Sequence, residues 1–189
     1  MNYFKLSMDM TRENDIVLHC KNCSNIDLNT FKTGKYYESN HAEKIEFFFD
    51  ESEGKIWTDY LANDKGWFIV SASLKLILQE VNSEIQFISI EIYDKDGNSA
   101  DVDYYIANIV KVVDALCLDK SDYFESYIEE VGTIYSISKY GIYEKKTENA
   151  DVFKLDNWQQ IPIFVSEIFK EAVELNECTG MSFLEIAVE

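Results

Sequence analysis

The sequence predicts an α+β fold: a strand-rich single domain in which two similar strand-helix-strand units pack around a central strand. The first observation behind this prediction is a repeat, because the pattern of residues 66–92 returns at residues 161–188. The second is an apolar run at 104–113, which lies between the two copies and alternates as strands do. The third is that the other apolar runs are short, which is typical of strands.

The two units share the order strand, serine, helix, strand. Aligning Val70-Ser71 with Val165-Ser166 also brings the apolar helix positions that follow into register. Those apolar residues recur at three- and four-residue spacing, which predicts helices that each bury one stripe. A serine, either Ser71 or Ser73 in the first unit and Ser166 in the second, is predicted to cap each helix by accepting a hydrogen bond from a free N–H group.

Local patterns predict the remaining elements. A dense cluster of turn formers at 93–98 predicts a hairpin loop. Helical spacing predicts a turn or two of helix at 57–61, and the segment 120–130 is predicted to form a short helix with Ser121 as its cap. Further strands are predicted at residues 2–7, 16–20, 46–49, 132–138 and 152–155.

Length and composition indicate one folded domain. The chain has 189 residues, of which 47% are hydrophobic, so it can bury a core and is not disordered. No apolar run approaches the roughly 18 residues that a membrane helix needs. The first residues carry neither a basic cluster nor the apolar core of a secretory signal. We therefore expect a cytoplasmic protein that does not bind membranes.

The charge balance is strongly acidic. The chain has 35 acidic and 17 basic residues, for a formal net charge of -18, and Arg12 is its one arginine. Nucleic acids and anionic membrane surfaces require a basic footprint, so neither is expected as a direct partner. A basic protein would be attracted and steered by such a surface. The alternative is that the acidic surface serves solubility alone.

The cysteines and histidines do not form a recognisable metal motif. Cys20 and Cys23 have His19 beside them and His41 further along the chain, but a zinc site requires a second ligand pair with similarly tight spacing, which the sequence lacks. In the expected compartment all four cysteines should be reduced thiols. The run that begins at Asp94 resembles a calcium loop only faintly, because its spacing departs from that of an EF-hand. We therefore predict no metal and no cofactor.

The sequence offers no catalytic signature. The glycine patterns of nucleotide-binding loops, the nucleophile elbow and the zinc-protease helix motif are all absent. Carboxylate pairs are abundant in so acidic a chain, so they carry no specific signal for hydrolysis. We predict that the protein is not an enzyme.

Acidic and aromatic residues concentrate in two segments between the copies. Such a mixture suits a protein interface in which aromatic residues anchor and charges orient. The alternative is that Tyr104, Phe124 and Tyr127 simply fill the core. The predicted partner-binding residues are Asp94, Asp96, Asp101 and Asp103 in the first segment, and Asp119, Asp122, Tyr123 and Glu125 in the second.

From Trp57 onward the sequence contains a set of spaced elements: Val70-Ser71 with Leu74 and Leu78, Tyr104-Tyr105 and Asn108, Val113 to Leu116, Ser121, Val152 to Leu155, and Val165-Ser166 with Thr179-Gly180, Phe183 and Glu185. In these elements the chain resembles a family of bacterial immunity proteins from polymorphic toxin systems, of the type first catalogued in myxobacteria as a domain of unknown function. Cys117 stands where the family often has an aspartate.

The resemblance implies a non-catalytic inhibitor that binds a cognate toxin domain made by the same cell and occludes it. It divides the chain into a variable portion, 1–56, and an immunity-like portion, 57–189. If the toxin is a nuclease, an acidic protein could occupy its basic substrate groove in place of phosphates. The alternative function is that of an assembly or adaptor module in a secretion or phage-like locus.

Overall fold

A computed structural model describes residues 1–23, 26–38, 44–81, 83–130, 132–156 and 161–189. Strand accounts for 43% of the described residues and helix for 14%, which confirms the α+β class. Within the described ranges, neither α-helix could span a membrane. The elements are β1 (Tyr3–Met8), β2 (Val17–Asn22), β3 (Glu46–Phe49), β4 (Tyr60–Asn63), β5 (Ile69–Ser71), α1 (Ala72–Glu80), β6 (Ile85–Ser89), β7 (Glu91–Asp94), β8 (Tyr104–Ile109), β9 (Val112–Val113), β10 (Asp122–Ile128), β11 (Gly132–Lys139), β12 (Gly141–Ile142), β13 (Val152–Leu155), β14 (Ile163–Ser166), α2 (Glu167–Leu175), β15 (Met181–Glu185) and β16 (Ala187–Val188), with 3-10 helices at Leu118–Lys120 and Glu144–Lys146.

The strands form two large sheets and two small ones. The larger sheet has the order β6-β8-β5-β4-β2-β3-β7, and the second has the order β15-β1-β14-β13-β9. β12 pairs with β16, and β10 pairs with β11 as a separate antiparallel ribbon. Each large sheet contains one of the two repeated units, because β5 belongs to the first sheet and β14 to the second.

The predicted serine caps are confirmed in both units. The side chain of Ser71 accepts a hydrogen bond from the Leu74 N–H at 3.1 Å, and that of Ser166 accepts one from the Phe169 N–H at 3.3 Å. Ser71, rather than Ser73, therefore begins α1. Both helices are nine residues long, so the two units match in length as well as in order.

Each capping serine is itself held by an aspartate that the repeat alignment did not include. The Ser71 hydroxyl donates to Asp59 and the Ser166 hydroxyl donates to Asp151, each at 2.6 Å. In both units the serine N–H also donates to the carbonyl of the same aspartate, at 2.9 and 2.8 Å. The second oxygen of Asp59 accepts the Thr179 N–H at 2.8 Å, which ties the first unit to the turn after α2.

β8 separates two of the three apolar cores. Because its side chains alternate, Tyr104 and Ile106 enter the core formed with Trp67 and Phe47, whereas Ala107 and Ile109 enter the core that contains both helices. All of these residues are less than 10% exposed. A third core, built around the stacked rings of Phe153 and Phe164, lies under the second sheet. β8 pairs with the two strands of the first unit, β5 and β6, whereas the two strands of the second unit, β14 and β15, pair with β1 in the other sheet.

Two local predictions are wrong. The segment 57–61 does not form a helix, because Tyr60 begins β4 and pairs antiparallel with Val70. The run 104–113 is two strands in different sheets. The N–H groups of Val110 and Lys111 both donate to the Glu84 carbonyl, at 3.0 and 3.3 Å, so the chain leaves the first sheet there and continues as β9 beside β13.

Candidate partner-binding surface

The first predicted acidic segment is a hairpin loop after β7, as its turn chemistry indicated. Asp94 holds the loop together: its carboxylate accepts the N–H groups of Asp96 at 2.9 Å and Asn98 at 2.8 Å, and the Asn98 side-chain amide at 2.7 Å. These hydrogen bonds, led by that of the Asn98 side chain, lower the pKa of Asp94. Tyr93 and Ser99 close the loop with an antiparallel bridge. Asp94 therefore has a structural task of its own.

The other three acids of this segment face solvent. Asp96 lies at the tip of the loop, and Asp101 and Asp103 lie on the chain that returns to β8; all three are exposed. Lys95, also at the tip, pairs with Asp50 at 3.2 Å. The hairpin thus presents carboxylates around one paired lysine, without an exposed large apolar side chain among residues 94–103.

The second segment does not form the predicted helix. Asp119 lies in a 3-10 helix, while Asp122, Tyr123 and Glu125 lie on β10. Ser121 caps no α-helix; its hydroxyl donates to the Cys117 carbonyl at 2.7 Å and accepts the Gly141 N–H at 2.9 Å. These two bonds fasten the start of β10 to β12.

β10 and β11 form a two-stranded antiparallel ribbon, residues 122–139, which we call the ribbon. Aromatic and β-branched residues favour strands, and here they face one another across the pair: Tyr123 lies opposite Ile137, and Tyr127 opposite Thr133. The Tyr123 and Tyr135 rings make an edge contact at 5.3 Å between centroids. The segment that was predicted to be helical therefore forms a strand, because its residues pair with those of β11.

Both faces of the ribbon carry exposed apolar groups. Successive side chains of a strand point to opposite faces, so Tyr123, Glu125 and Tyr127 share one face while Phe124 and Ile128 share the other. Phe124 is 71% exposed and Tyr127 is 75% exposed. Tyr123 and Ile128 are 43% and 45% exposed. Each face therefore carries two large exposed apolar side chains, and exposed apolar surface of this kind marks interaction sites.

The base of the ribbon is anchored to the protein. Ile137 packs against the third core. At the same end, two contacts join the strands of the ribbon to each other: the Ser138 hydroxyl donates to the Asp122 carbonyl at 3.0 Å, and Lys139 pairs with the Asp122 carboxylate at 3.2 Å. A groove of about 670 Å³ lies beside this base and is lined by side chains of both charges, including Lys5, Lys120, Asp122 and Glu185.

The remaining charge of the ribbon is unbalanced. Glu125, Glu129 and Glu130 are exposed, and no basic side chain of the described residues pairs with them. The ribbon therefore combines apolar anchors with net negative charge, whereas the hairpin loop offers charge without anchors. No hydrogen bond or ion pair among the described residues joins the loop 94–103 to the ribbon.

Tyr104, Phe124 and Tyr127 could fill either the core or an interface, and they differ in their location. Tyr104 is 7% exposed and its hydroxyl donates to the Thr58 carbonyl at 2.9 Å, while burial raises its pKa. Phe124 and Tyr127 are exposed, as an interface requires. Phe124, Tyr127 and Ile128 were not among the partner-binding residues predicted from the sequence, although neighbouring residues were. The alternation of these apolar residues with Glu125 and Ser126 was the sequence pattern that could have identified them.

The prediction of four reduced thiols is wrong for one pair. Cys20 and Cys23 form a disulfide, with Cα atoms 6.1 Å apart, inside the usual range for such bonds. A register shift after Cys20 in β2 brings the two residues together. The prediction of reduced thiols was based on the expected cellular compartment and did not include this local geometry. Cys117 and Cys178 are free. Within the described ranges no three metal-ligating side chains cluster, and His41 lies outside those ranges.

Comparison with known sequences gives one clear result. The model of an immunity protein family, Imm11, matches residues 2–188, which is nearly the whole chain. No curated protein matches the chain significantly. The match includes the repeated units, β8 and the ribbon, and it extends to the first 56 residues as well. The chain belongs to the Imm11 family of immunity proteins.

Proposed function

We propose that this immunity protein binds a cognate bacterial toxin domain and neutralises it by occlusion, without catalysing a reaction. The observation that carries the proposal is family membership over residues 2–188. An acidic, aromatic surface on a chain of net charge -18 supports it, because such a surface suits a basic protein partner. The inhibitor acts in the cytoplasm of the cell that makes the toxin, and it needs no cofactor.

A nuclease is the toxin class that best fits the charge. An enzyme that cuts nucleic acid must bind phosphates, so its groove is basic. An inhibitor with a surplus of 18 negative charges can occupy that groove and exclude the substrate. The candidate contacts are the acidic loop after β7 and the ribbon. Asp94 supports the loop, and the exposed carboxylates of each segment are the charges that this segment could offer to a basic partner.

Co-expression tests the proposal directly. The protein should restore growth to cells that express the C-terminal toxin domain encoded beside its gene, and the two proteins should purify as a stable complex. A paralogous or unrelated immunity protein serves as the control and should fail to restore growth. If the protein neither restores growth nor forms the complex, it is not the inhibitor of that toxin. A complex without rescue would favour the assembly or adaptor function.

The charge of the protein predicts a strong salt dependence of association. Electrostatic steering raises association rates by about ten- to a thousandfold at low salt. We expect the association rate constant with the toxin domain to fall at least about tenfold between roughly 20 and 500 mM NaCl. The dissociation rate should change much less, because apolar anchors hold the complex. Surface plasmon resonance measures both rates. An association rate constant that does not change with salt concentration would contradict electrostatic steering.

A further inference from the structure

The ribbon has a geometry that distinguishes it from an ordinary exposed sheet edge. Its most exposed large apolar side chains, Phe124 and Tyr127, lie on opposite faces. A partner that lay flat on one face would leave the other in water. A strand of seven residues extends about 23 Å, which is long enough to reach into a cleft. A single partner can cover both faces only if the ribbon enters a cavity of that partner.

Without a partner, the ribbon gains little stabilisation from packing. An isolated two-stranded hairpin is marginally stable in water, because neither face is covered. In this ribbon Ile137 is the residue that packs against a core of the protein. The apolar residues farther from the base therefore contribute to stability mainly when another surface covers them. Their exposure is costly for solubility, which binding would offset.

The charges indicate the chemistry of the occupant. Glu125 lies between Tyr123 and Tyr127 on one face, and Glu129 and Glu130 lie at the turn. These carboxylates would surround the apolar anchors with negative potential. A cleft lined with lysine and arginine complements that arrangement, and burial of unpaired carboxylates in an acidic or apolar cleft would be unfavourable.

We infer that the ribbon is the docking element of this protein and that it inserts, with both faces covered, into a basic cleft of the toxin domain. This inference rests on the proposed function and deepens it, because it assigns the contact to one of the two acidic segments. Phe124 and Tyr127 are the anchors, and Glu125, Glu129 and Glu130 orient the ribbon. The loop at 94–103 is then not required for binding.

Single substitutions on each face test the insertion. Phe124→Ser and Tyr127→Ser should each weaken binding of the toxin domain encoded by the adjacent gene by at least about tenfold, as truncation of interface anchors does. Leu76→Ser and Leu175→Ser provide matched controls, because these side chains are 63% and 85% exposed on α1 and α2. The controls should change affinity less than about twofold. Isothermal titration calorimetry with purified proteins provides the affinities.

Two double variants test which of the two acidic segments contacts the toxin domain. Glu125→Gln with Glu130→Gln should slow association several-fold, whereas Asp101→Asn with Asp103→Asn, which removes the same charge from the loop, should not. All four residues are exposed, so we expect every variant to fold like the original. Hydrogen exchange on the unaltered protein gives an independent measure, because the amides of β10 and β11 should become protected in the complex.

The other possible results distinguish insertion of the ribbon from other modes of binding and from failure of the proposed function. An effect at Phe124 or at Tyr127 alone would overturn insertion, because it would indicate docking on one face. Unchanged binding by both variants would overturn the assignment to the ribbon while the proposed function stands. Self-association of the protein that either substitution abolishes would identify a second copy as the occupant and overturn the toxin cleft. If the unaltered protein does not bind the toxin domain, the proposed function itself fails.

Discussion

Replacement of Gly180 by alanine is expected to lower the free energy of unfolding by about 3 kcal/mol or more, one of the largest effects of a single methyl group in this protein. Gly180 has φ = +87°, a conformation that costs an L-residue about 1–2 kcal/mol. A Cβ atom at this position would also collide with the Tyr60 carbonyl oxygen and would lie 3.0 Å from the Thr58 hydroxyl. Overpacking of this kind adds about 1–3 kcal/mol.

The neighbours of Gly180 cannot easily move aside. Thr58 is 2% exposed, and its hydroxyl donates to the Tyr60 carbonyl at 2.7 Å. The adjacent Thr179 both donates to Asp59 and accepts the Tyr60 N–H, at 2.8 and 3.1 Å. The glycine therefore lies where the turn after α2 presses against the start of β4, at the junction of the two units.

Gly97 provides a matched control for this substitution. Its φ is +89°, almost that of Gly180, but no heavy atom lies within 4 Å of a Cβ placed there. Gly97→Ala should therefore cost only the conformational penalty of about 1–2 kcal/mol. Urea unfolding monitored by circular dichroism measures both variants. Equal losses would show that backbone conformation alone, and not the contact with β4, makes glycine necessary at position 180.

Replacement of Lys154 by methionine is expected to change how stability depends on pH. Lys154 is 2% exposed on β13, and its ammonium group donates to the Lys32 carbonyl at 2.9 Å. Burial, with a smaller contribution from the charge of Lys32, lowers the pKa of Lys154 to about 8. The unfolded chain holds the same proton with an ordinary pKa of about 10.4.

The direction of the pH effect follows from these two pKa values. Below pH 8 the lysine is charged in both states, and the folded protein bears the full cost of burying the charge. Between pH 8 and about 10.4 the unfolded state binds the proton that the folded state has lost, so stability rises with pH. At about 1.4 kcal/mol per pKa unit, the unaltered protein should gain up to about 3 kcal/mol relative to Lys154→Met across this window.

The comparison between the two proteins isolates this effect. Other groups, such as Cys178, whose pKa burial raises to about 11, titrate in the same range with the opposite effect on stability, but they are present in both proteins and cancel in the difference. Urea unfolding at pH 7, 8, 9 and 10 gives the two curves. Lys55→Met, at an exposed position, is the control and should show a constant difference. A constant difference for Lys154→Met as well would mean that its ammonium group is solvated.

Predictions based on neighbouring residues were the successful ones. Ser71 and Ser166 cap helices because the groups that they bond lie three residues away in the same turn. The loop at 93–98 was predictable for the same reason, since the carboxylate of Asp94 bonds to residues two and four positions later. In these cases the sequence contains both partners of the interaction within one short segment.

The failures concern partners that are distant in the chain. The residues of β10 become a strand because β11 pairs with them, and those of β4 because β5 does. The aspartates that hold the two capping serines are 12 and 15 residues away from them, outside the aligned repeat. In both relationships one partner lies outside the segment, so the pattern within the segment did not by itself decide between helical and extended interpretations.

The sequence by itself determined the strand-rich α+β class, the two repeated units, the acidic character and the immunity relationship, because each depends on composition or on local order. Tertiary structure alone decided which acidic and aromatic residues can meet a partner. Tyr104 and Phe124 have similar apolar side chains in similarly acidic surroundings, yet the first is 7% and the second 71% exposed. The difference arises because β8 lies between two cores, whereas beyond its base the ribbon packs on none.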